Sequence, residues 1–446
     1  MKKIAFYTLG CKVNQSDTAS MEKLFRDAGF QIVDFEEPAD ICLINTCVVT
    51  NMGQSKSRKI IHRAARRDPK PLIVVTGCYP QTSPDEVVHI DGVDLIIGNQ
   101  DRSKVVELVR ERMGESPDEA PINAVHDLPV GREFEELDAA VDASRNRAFL
   151  KIQEGCDQYC AYCIIPMIRG RHRSRSQQDV VREAETLIRS GVKEICLIAQ
   201  DITYYGMDKW TDARPNRRSA VDSSRGESLA SLLRALNAIE GEFWIRLLYT
   251  HPAHWSDELT AAIAECPKVA RYVDIPLQHI SDNMLDAMQR VTDGDYIRTL
   301  LRNIRKAVPG IAIRTTFITG FPGETEDDHQ ELMEFIEEFR FERAGIFTFS
   351  REEGTKAYKM PNQVHHRTKA RRYNEATLLL ARLASETGQE QIGRQIRVLV
   401  DAPGVARTEW DAPDIDGTVS VPLTLPVGQF ATVTVTDAVA YELTAE

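Results

Sequence analysis

An α/β fold class in three folded parts is what the sequence predicts, on three observations. The first hundred residues alternate short apolar strands with amphipathic helices. The alternation resumes near residue 146 with six more strand candidates, and the tail then changes to the period-two pattern of an all-β module. The expected organisation is an N-terminal parallel α/β domain over 1–114 and a linker over 115–145. A partial parallel (β/α)6 barrel follows over 146–372, and a small all-β barrel over 373–446. At 446 residues and 42% apolar composition the chain can bury more than one core.

In the first part the strands are "IAFYTL", "ICLINT", "LIVVTG" and "VDLIIG". A helix is expected over "SDTASMEKLFRDAG", with Ser16 as its N-cap. Residues 115–145 are acidic, punctuated by proline and without a sustained period, which reads as linker. The barrel strands are "AFLKIQ", "EICLIA", "WIRLLY", "YVDIPL", "IRTTFIT" and "AGIFTFS", and the segments between them can each hold a helix. The polar, Arg- and Ser-rich stretch 211–228 interrupts them as a loop expected to be mobile. A long helix over roughly 366–391 precedes the tail strands "IRVLVD", "GTVSVPL" and "FATVTV".

No run of about 18 apolar residues occurs, and Lys12 and Asn14 break the short apolar stretch at the start. Neither a membrane span nor a signal peptide is expected, and the location expected is cytoplasmic. Nine cysteines, an odd number, argue against a disulfide framework and for thiols kept reduced for metal or chemistry. The net charge of −12 gives no global reason to bind nucleic acid.

Spacing makes the cysteines informative. Cys156, Cys160 and Cys163 form C-x3-C-x2-C just after a strand, where one loop can wrap them around a single ion or cluster. A structural zinc site wants four ligands, and the nearest candidate for the fourth is His172. Three thiolates on a 4Fe-4S cluster instead leave one iron open. The spacing, with Tyr162 before the third cysteine and a barrel strand in front, resembles the radical S-adenosylmethionine (SAM) superfamily. That resemblance implies a 4Fe-4S cluster whose open iron chelates SAM, a deoxyadenosyl radical from its reductive cleavage, and a radical SAM core for the barrel.

Cys11, Cys47 and Cys78 each follow a predicted strand, in "TLGCKVNQ", "INTC" and "VTGC". Strand carboxyl ends lie along one edge of a parallel sheet, so the three can converge; the alternative is three separate core cysteines. Cys42, Cys196 and Cys266 read as core or surface thiols. Two three-thiolate sites, on an α/β domain and on a barrel, with a β tail after them, resemble the methylthiotransferases over the whole chain. The parts then correspond to an N-terminal methylthiotransferase domain, a radical SAM core and a TRAM domain. The resemblance implies two 4Fe-4S clusters, the second on Cys11, Cys47 and Cys78, with SAM as cofactor. It also implies an electron donor and a sulfur source as partners.

The family modifies either a tRNA adenosine or an aspartate of the twelfth small-subunit ribosomal protein. "TLGCKVNQ" and "GCYPQ" look like the branch that acts on threonylcarbamoyl-adenosine beside the anticodon. From Cys156 onwards "RGRHRSR", "LIAQDITYYGMD", "WIRLLYTHP", "DIPLQHISDNML", "RTTFITGFPGET" and "EEGTKAYKMPNQV" look like the ribosomal-protein branch, as does the tail segment "ARTEWDAPDIDG". From Gln391 to the end there are three basic residues against eight acids, a sign that suits a basic protein better than RNA. Against this stands a basic helix carrying Lys56, Arg58, Lys59, Arg63, Arg66, Arg67 and Lys70, although such a run is more commonly a solvated face. The expected reaction inserts a methylthio group at the β-carbon of a ribosomal-protein aspartate, with tRNA as the alternative substrate.

Barrel sites collect at strand carboxyl ends, which nominates Gln200, Asp201, His279 and Arg314 beside Tyr162 for SAM or substrate. Arg314 offers a bidentate fork for the SAM carboxylate, or a buried ion pair within the barrel. Gly320 and Gly323 allow close backbone approach to SAM or simply shape a turn, and Glu183 reads as an exposed helix acid.

Overall fold

A computed structural model describes residues 1–48, 51–116, 119–128, 134, 135, 137, 146–211 and 215–446. The N-terminal strands are β1 (Lys3–Thr8), β2 (Gln31–Val33), β3 (Ile41–Thr46), β4 (Leu72–Gly77), β5 (Leu95–Ile97) and β6 (Ile122–Ala124). All run parallel, in the order β2-β1-β3-β4-β5-β6. Alternate residues of β3 feed two cores. Cys42 and Ile44 pack with Ile61 and Ala64 of α2 (Asn51–Ala65), whereas Ile41 and Leu43 pack with Met21 and Phe25 of α1 (Lys12–Asp27). A sheet covered on both faces needs continuous apolar runs rather than alternation, which is why "ICLIN" is buried throughout. Two short helices, α3 (Cys78–Thr82) and α4 (Pro84–Val88), follow β4, and α5 (Val105–Gly114) follows β5.

Two expectations change here. Ser16 is a buried residue inside α1, not its N-cap: the chain turns at Gly10 and starts the helix at Lys12 with Cys11 at the cap. The stretch read as linker contains β6, where Ile122 pairs with Leu95 and Ala124 with Ile97. Three residues are too few to show a period.

The second sheet holds β7 (Arg147–Lys151), followed by a short hairpin of β8 (Gln153–Glu154) with β9 (Arg173–Ser174). Its further strands are β10 (Glu194–Ile198), β11 (Trp244–Leu247), β12 (Val269–Asp274), β13 (Ala312–Thr319) and β14 (Arg343–Thr348). The order β14-β13-β12-β11-β10-β7 is parallel throughout and remains open between β14 and β7, a partial barrel. α6 (Ile165–Arg169) follows the cysteine loop and packs Ile168 into the core of the first domain, and the outer layer comprises α7 (Gln177–Arg189), α8 (Leu229–Asn237), α9 (Asp257–Glu265), α10 (Asp282–Ala287), α11 (Gly294–Ala307) and α12 (Glu326–Phe339). Ser176, Ser228, Ser256, Asp293 and Thr325 cap α7, α8, α9, α11 and α12 through their side chains. Leu150, Leu197, Leu247, Val273 and Phe317 of the strands pack against Leu187, Leu233, Ile263 and Phe335 of the helices. Each such side chain, fully buried, contributes roughly 1.5–3 kcal/mol.

α13 (His366–Gln389) runs straight through residue 373, so the expected boundary falls inside a helix shared by barrel and tail. The tail closes as β15 (Gln395–Ala402), β16 (Val405–Thr408), β17 (Val419–Ser420), β19 (Glu442–Ala445) and β18 (Phe430–Val439), around Val398, Val400, Val433 and Leu443. The loop between β16 and β17 enters the mouth of the larger barrel. There Asp411 binds Arg343, Asp416 binds Arg314 and the Tyr272 hydroxyl, and Asp414 binds Lys12 and Arg147. Within the Arg-rich loop, residues 212–214 lie outside the described residues. Arg217 donates to the carbonyls of Gln158 and Gln289, and Arg225 stacks on Trp210 at 3.7 Å, so the described part is docked on the barrel. Among the described residues no helix is long and apolar enough to cross a membrane.

Candidate active site

The C-x3-C-x2-C loop leaves β8 at Gly155, where φ is +84° and a Cβ would lie 2.1 Å from the Arg171 carbonyl oxygen; only glycine fits. Three backbone bonds then set the loop. Gln200 Oε1 accepts the Gly155 N–H at 2.6 Å, the Gly170 carbonyl accepts from Cys156, and the Met288 carbonyl accepts from Ala161. Cys156 and Cys160 are buried and Cys163 half-buried. Burial pushes the Cys163 thiol up to about 12, with the Cys160 charge acting the same way. Burial, then the charges of Asp201 and Cys163, push Cys156 up as well. Such thiols ionise when a metal takes the place of the proton.

His172, the candidate fourth zinc ligand, is engaged elsewhere. Its Nδ1 meets the Gln153 amide at 3.2 Å, its Nε2 meets Ser174 Oγ at 3.1 Å, and its ring packs edge-on to Tyr204. Among the described residues, the one group of three metal-ligating atoms within 4.8 Å of one another is Asp201, His251 and His254. Neither trio of thiols is drawn to the spacing of a single ion, and three soft donors set wider apart fit an iron–sulfur cluster better than zinc. The Asp–His group is itself a hydrogen-bonded unit: the Gln158 amide nitrogen lies 2.8 Å from Asp201 Oδ2 and 2.9 Å from His254 Nδ1, which fastens the cysteine loop to β10.

The second trio forms along three neighbouring strands. Cys11 follows β1 and caps α1, Cys47 follows β3, and Cys78 opens α3 after β4. At Gly10 (φ +104°) a Cβ would come within 2.8 Å of Cys47 Cβ. Burial pushes Cys78 up to about 12; Arg169 pulls the other way, and Cys47 and Cys11 add to the rise. Asn14 orders the site, donating to the carbonyls of Leu9 and Thr46 and accepting from Arg169 Nη2 at 2.6 Å. The geometry brings the trio together, where separate core cysteines would have been scattered.

Arg169 sits six residues beyond Cys163 and links the two trios. It also binds Asp17 and Glu154, which share Arg102 and Lys151, a buried network joining the first domain to the barrel. Tyr249, at φ +64° beyond β11, places its phenol against Cys11 and accepts the Lys12 N–H. Sequence reading did not single out Asn14, Arg169, Tyr249 or Arg290 for these places. Arg169 lay within a noted arginine run, and the others carried no signal.

Of the residues nominated for SAM, Tyr162 lies beside Phe321 and Arg290 near the first trio. Gln200 holds the loop through Gly155. Arg314 does not present a free fork: its guanidinium binds Asp274 at 2.7 Å and Asp416 at 3.3 Å, the buried pair that was the alternative. Gly320 (φ +75°) makes room for Lys369 of α13, whose Cγ would lie 2.4 Å from a Cβ, rather than for an open cavity. The space at Gly323 is open, with Met284 Cε 4.0 Å from a Cβ. His279 faces Glu324, and Glu183 binds Arg175 rather than solvent alone.

The charge expectations also shift. Of the eight tail acids, Asp411 and Asp416 are turned into the barrel, Asp414 binds Lys12 and Arg147 from an exposed position, Asp401 binds Arg407, and Glu409 accepts the Arg271 N–H, so part of that charge is already paired within the chain. On the basic helix, Arg58 binds Glu86, Arg63 binds Glu36, and Lys70 beyond its end binds Asp94.

Comparison with known proteins agrees with this architecture. Residues 3–98 match the family described as "Uncharacterized protein family UPF0004", residues 150–336 the radical SAM superfamily, and residues 392–446 the TRAM domain. The chain is 72% identical to a protein of Akkermansia muciniphila named ribosomal protein uS12 methylthiotransferase RimO, with 99% of each chain covered. It is 37% identical to the threonylcarbamoyladenosine tRNA methylthiotransferase MtaB of Bacillus subtilis, over 90% of this chain and 85% of that one. The radical SAM methyltransferase TsrM of Kitasatospora setae shares the fold, with a TM-score of 0.54 at 15% identity over 78% of this chain and 73% of that one. With two convergent cysteine trios on a parallel sheet and a partial barrel, a closed β tail, and that full-length identity, the chain belongs to the radical SAM methylthiotransferase family, in its RimO branch.

Proposed function

We propose that the enzyme inserts a methylthio group at the β-carbon of an aspartate in the small-subunit ribosomal protein uS12. The observation that carries this is the full-length identity of 72% to a RimO protein, against 37% to MtaB. The acidity of the tail adds less support than its formal charge, because Asp411 and Asp416 are turned inward onto barrel arginines. Cys156, Cys160 and Cys163 would hold a 4Fe-4S cluster that, with SAM, would supply radical chemistry, and Cys11, Cys47 and Cys78 would hold a second cluster that would supply the place where sulfur is methylated. The protein's own residues hold and align these groups. Cys156, Cys160 and Cys163 offer three ligands and leave one position for SAM. Gln200 and the Met288 carbonyl fix the loop that carries them, and the Arg169 network keeps the two trios in one rigid relation. An external electron donor and a sulfur source complete the partners, and the protein works in the cytoplasm.

The test is an anaerobic competition: reconstituted enzyme, SAM and dithionite with small ribosomal subunits and unmodified tRNA in one tube, both analysed by mass spectrometry. A methylthio adduct on the uS12 aspartate alone supports the reading. An adduct on tRNA alone overturns it and transfers control of substrate choice to the first domain.

A further inference from the structure

Arg290 has no assigned part in the chemistry, yet its position is unusual. It follows α10 after Gln289, which has φ +58°, and its side chain is 8% exposed. Nη2 donates to the Pro276 carbonyl at 2.7 Å, Nη1 reaches the Tyr162 hydroxyl at 3.4 Å and Cys160 Sγ at 3.9 Å, and Nε is buried without a partner. Among the described residues no carboxylate comes within ion-pair distance of it. Among the described residues the other arginines beside the two trios have their acids: buried Arg102 and Arg169 have Asp17 and Glu154, and half-buried Arg314 has Asp274. A buried cation left without an anion is strongly unfavourable, so one must be supplied. Among the described residues the guanidinium's hydrogen-bond partners are the Pro276 carbonyl, the Tyr162 hydroxyl and Cys160 Sγ, and neither oxygen offers a charge. The remaining anion is the thiolate that Cys160 becomes on ligating iron.

We propose that Arg290 is the charge partner of the cluster on Cys156, Cys160 and Cys163, donating an N–H to Cys160 sulfur and raising the cluster's reduction potential. This rests on the reading of that trio as the SAM-binding cluster site. One-electron reduction adds a negative charge to the cluster. A fixed cation with an N–H directed at a ligand sulfur stabilises the reduced form more than the oxidised one, which eases acceptance of the electron from the external donor. The cation is positioned for this by the loop itself. The Met288 carbonyl, two residues before Arg290, accepts the Ala161 N–H, and the Ala161 carbonyl accepts from Ala357, so guanidinium and Cys160 are tied to one piece of backbone.

Reconstituted holoenzyme, as wild type, Arg290→Gln and Arg290→Lys, would be poised with dithionite and viologen mediators. The signal followed is the EPR signal that shifts when SAM is added, which isolates this cluster from the other. At a fixed poise the ratio of reduced to oxidised cluster should fall about tenfold in Arg290→Gln, equivalent to about 59 mV for one electron, and stay near wild type in Arg290→Lys. Arg290→Gln with full iron content titrating on the wild-type curve would overturn the inference. If Arg290→Gln does not retain the cluster, Arg290→Lys decides: retention supports a charge partner, and loss there as well reduces Arg290 to packing and sinks the idea. A wild-type enzyme with no SAM-responsive signal would instead remove the cluster assignment, a distinguishable failure.

Discussion

Six thiols gather in two trios, and the other three show what a cysteine does here outside one. Cys196 faces the mouth of the larger barrel, Cys42 lies in the core of the first sheet with Arg67 at 3.4 Å, and Cys266 packs at the end of α9. All three are single sulfurs with no second thiol nearby, as read from the chain, because each lies inside or beside an apolar run rather than after a strand at a glycine. Replacing Cys156, Cys160 or Cys163 by Ala should abolish deoxyadenosine formation from SAM; a variant still making it at the wild-type rate would remove that residue from the cluster. Replacing Cys78 should leave deoxyadenosine formation in place, cut bound iron to about half and stop methylthio transfer. Product at the wild-type rate in Cys78→Ala would separate the second trio from the reaction. The arginines were less legible. "RGRHRSR" reads as one run, yet the fold separates its members: Arg169 goes to the interdomain network, Arg171 to Asp157, Arg173 to backbone carbonyls and Arg175 to Glu183. Long flexible cations find partners that local pattern does not encode.

Among the elements, strands with a continuous apolar run were visible in the sequence, even β5 at three residues, whereas β2 and β6, equally short but only partly buried, were not. Both are held by pairing to a neighbour, β1 and β5, and tertiary pairing of that kind leaves no local period. The start of α1 was missed for a related reason. Its first turn carries Lys12 and Asn14, which look like loop residues but are buried against Asp414 and the Thr46 carbonyl. The cluster loop depends on an equally unobtrusive residue. Gly155→Ala would put a methyl group 2.1 Å from the Arg171 carbonyl oxygen at a φ that side chains disfavour, and backbone has nowhere to yield. The substitution should leave the secondary structure content intact while iron at the first trio and the SAM-responsive EPR signal are lost. Normal iron content in Gly155→Ala would mean that the loop tolerates more movement than its hydrogen bonds suggest.

Across the whole molecule, barrel and tail are held together by charges rather than by an apolar seam alone. Glu194 of β10 is fully buried between Arg246 and Arg407; burial alone would raise its carboxyl, but the two guanidinium groups overcome this and hold it at about 2. The folded value lies below the ordinary 4.5, so this pairing stabilises the protein fully above pH 4.5 and loses its effect as pH falls from there towards 2. The linked stabilisation is roughly 3 kcal/mol. Glu194→Gln should therefore unfold at lower denaturant than wild type at pH 7, with the gap narrowing below pH 4.5 and closing as pH approaches 2; a gap that does not narrow would assign the stabilisation to packing. The three-part plan was legible because each part repeats its own period. The docking between parts was not, because Asp411, Asp414 and Asp416 meet Arg343, Arg147 and Arg314 across separations of tens to hundreds of residues. That acidic loop has a bearing on inheritance. A tail exchanged from another lineage without Asp411 would leave Arg343 buried and unpaired, at about 3–5 kcal/mol for that broken buried pair. Tail and barrel must then be inherited together, and because Asp414 also holds Lys12 of the first domain, that domain is drawn into the same constraint.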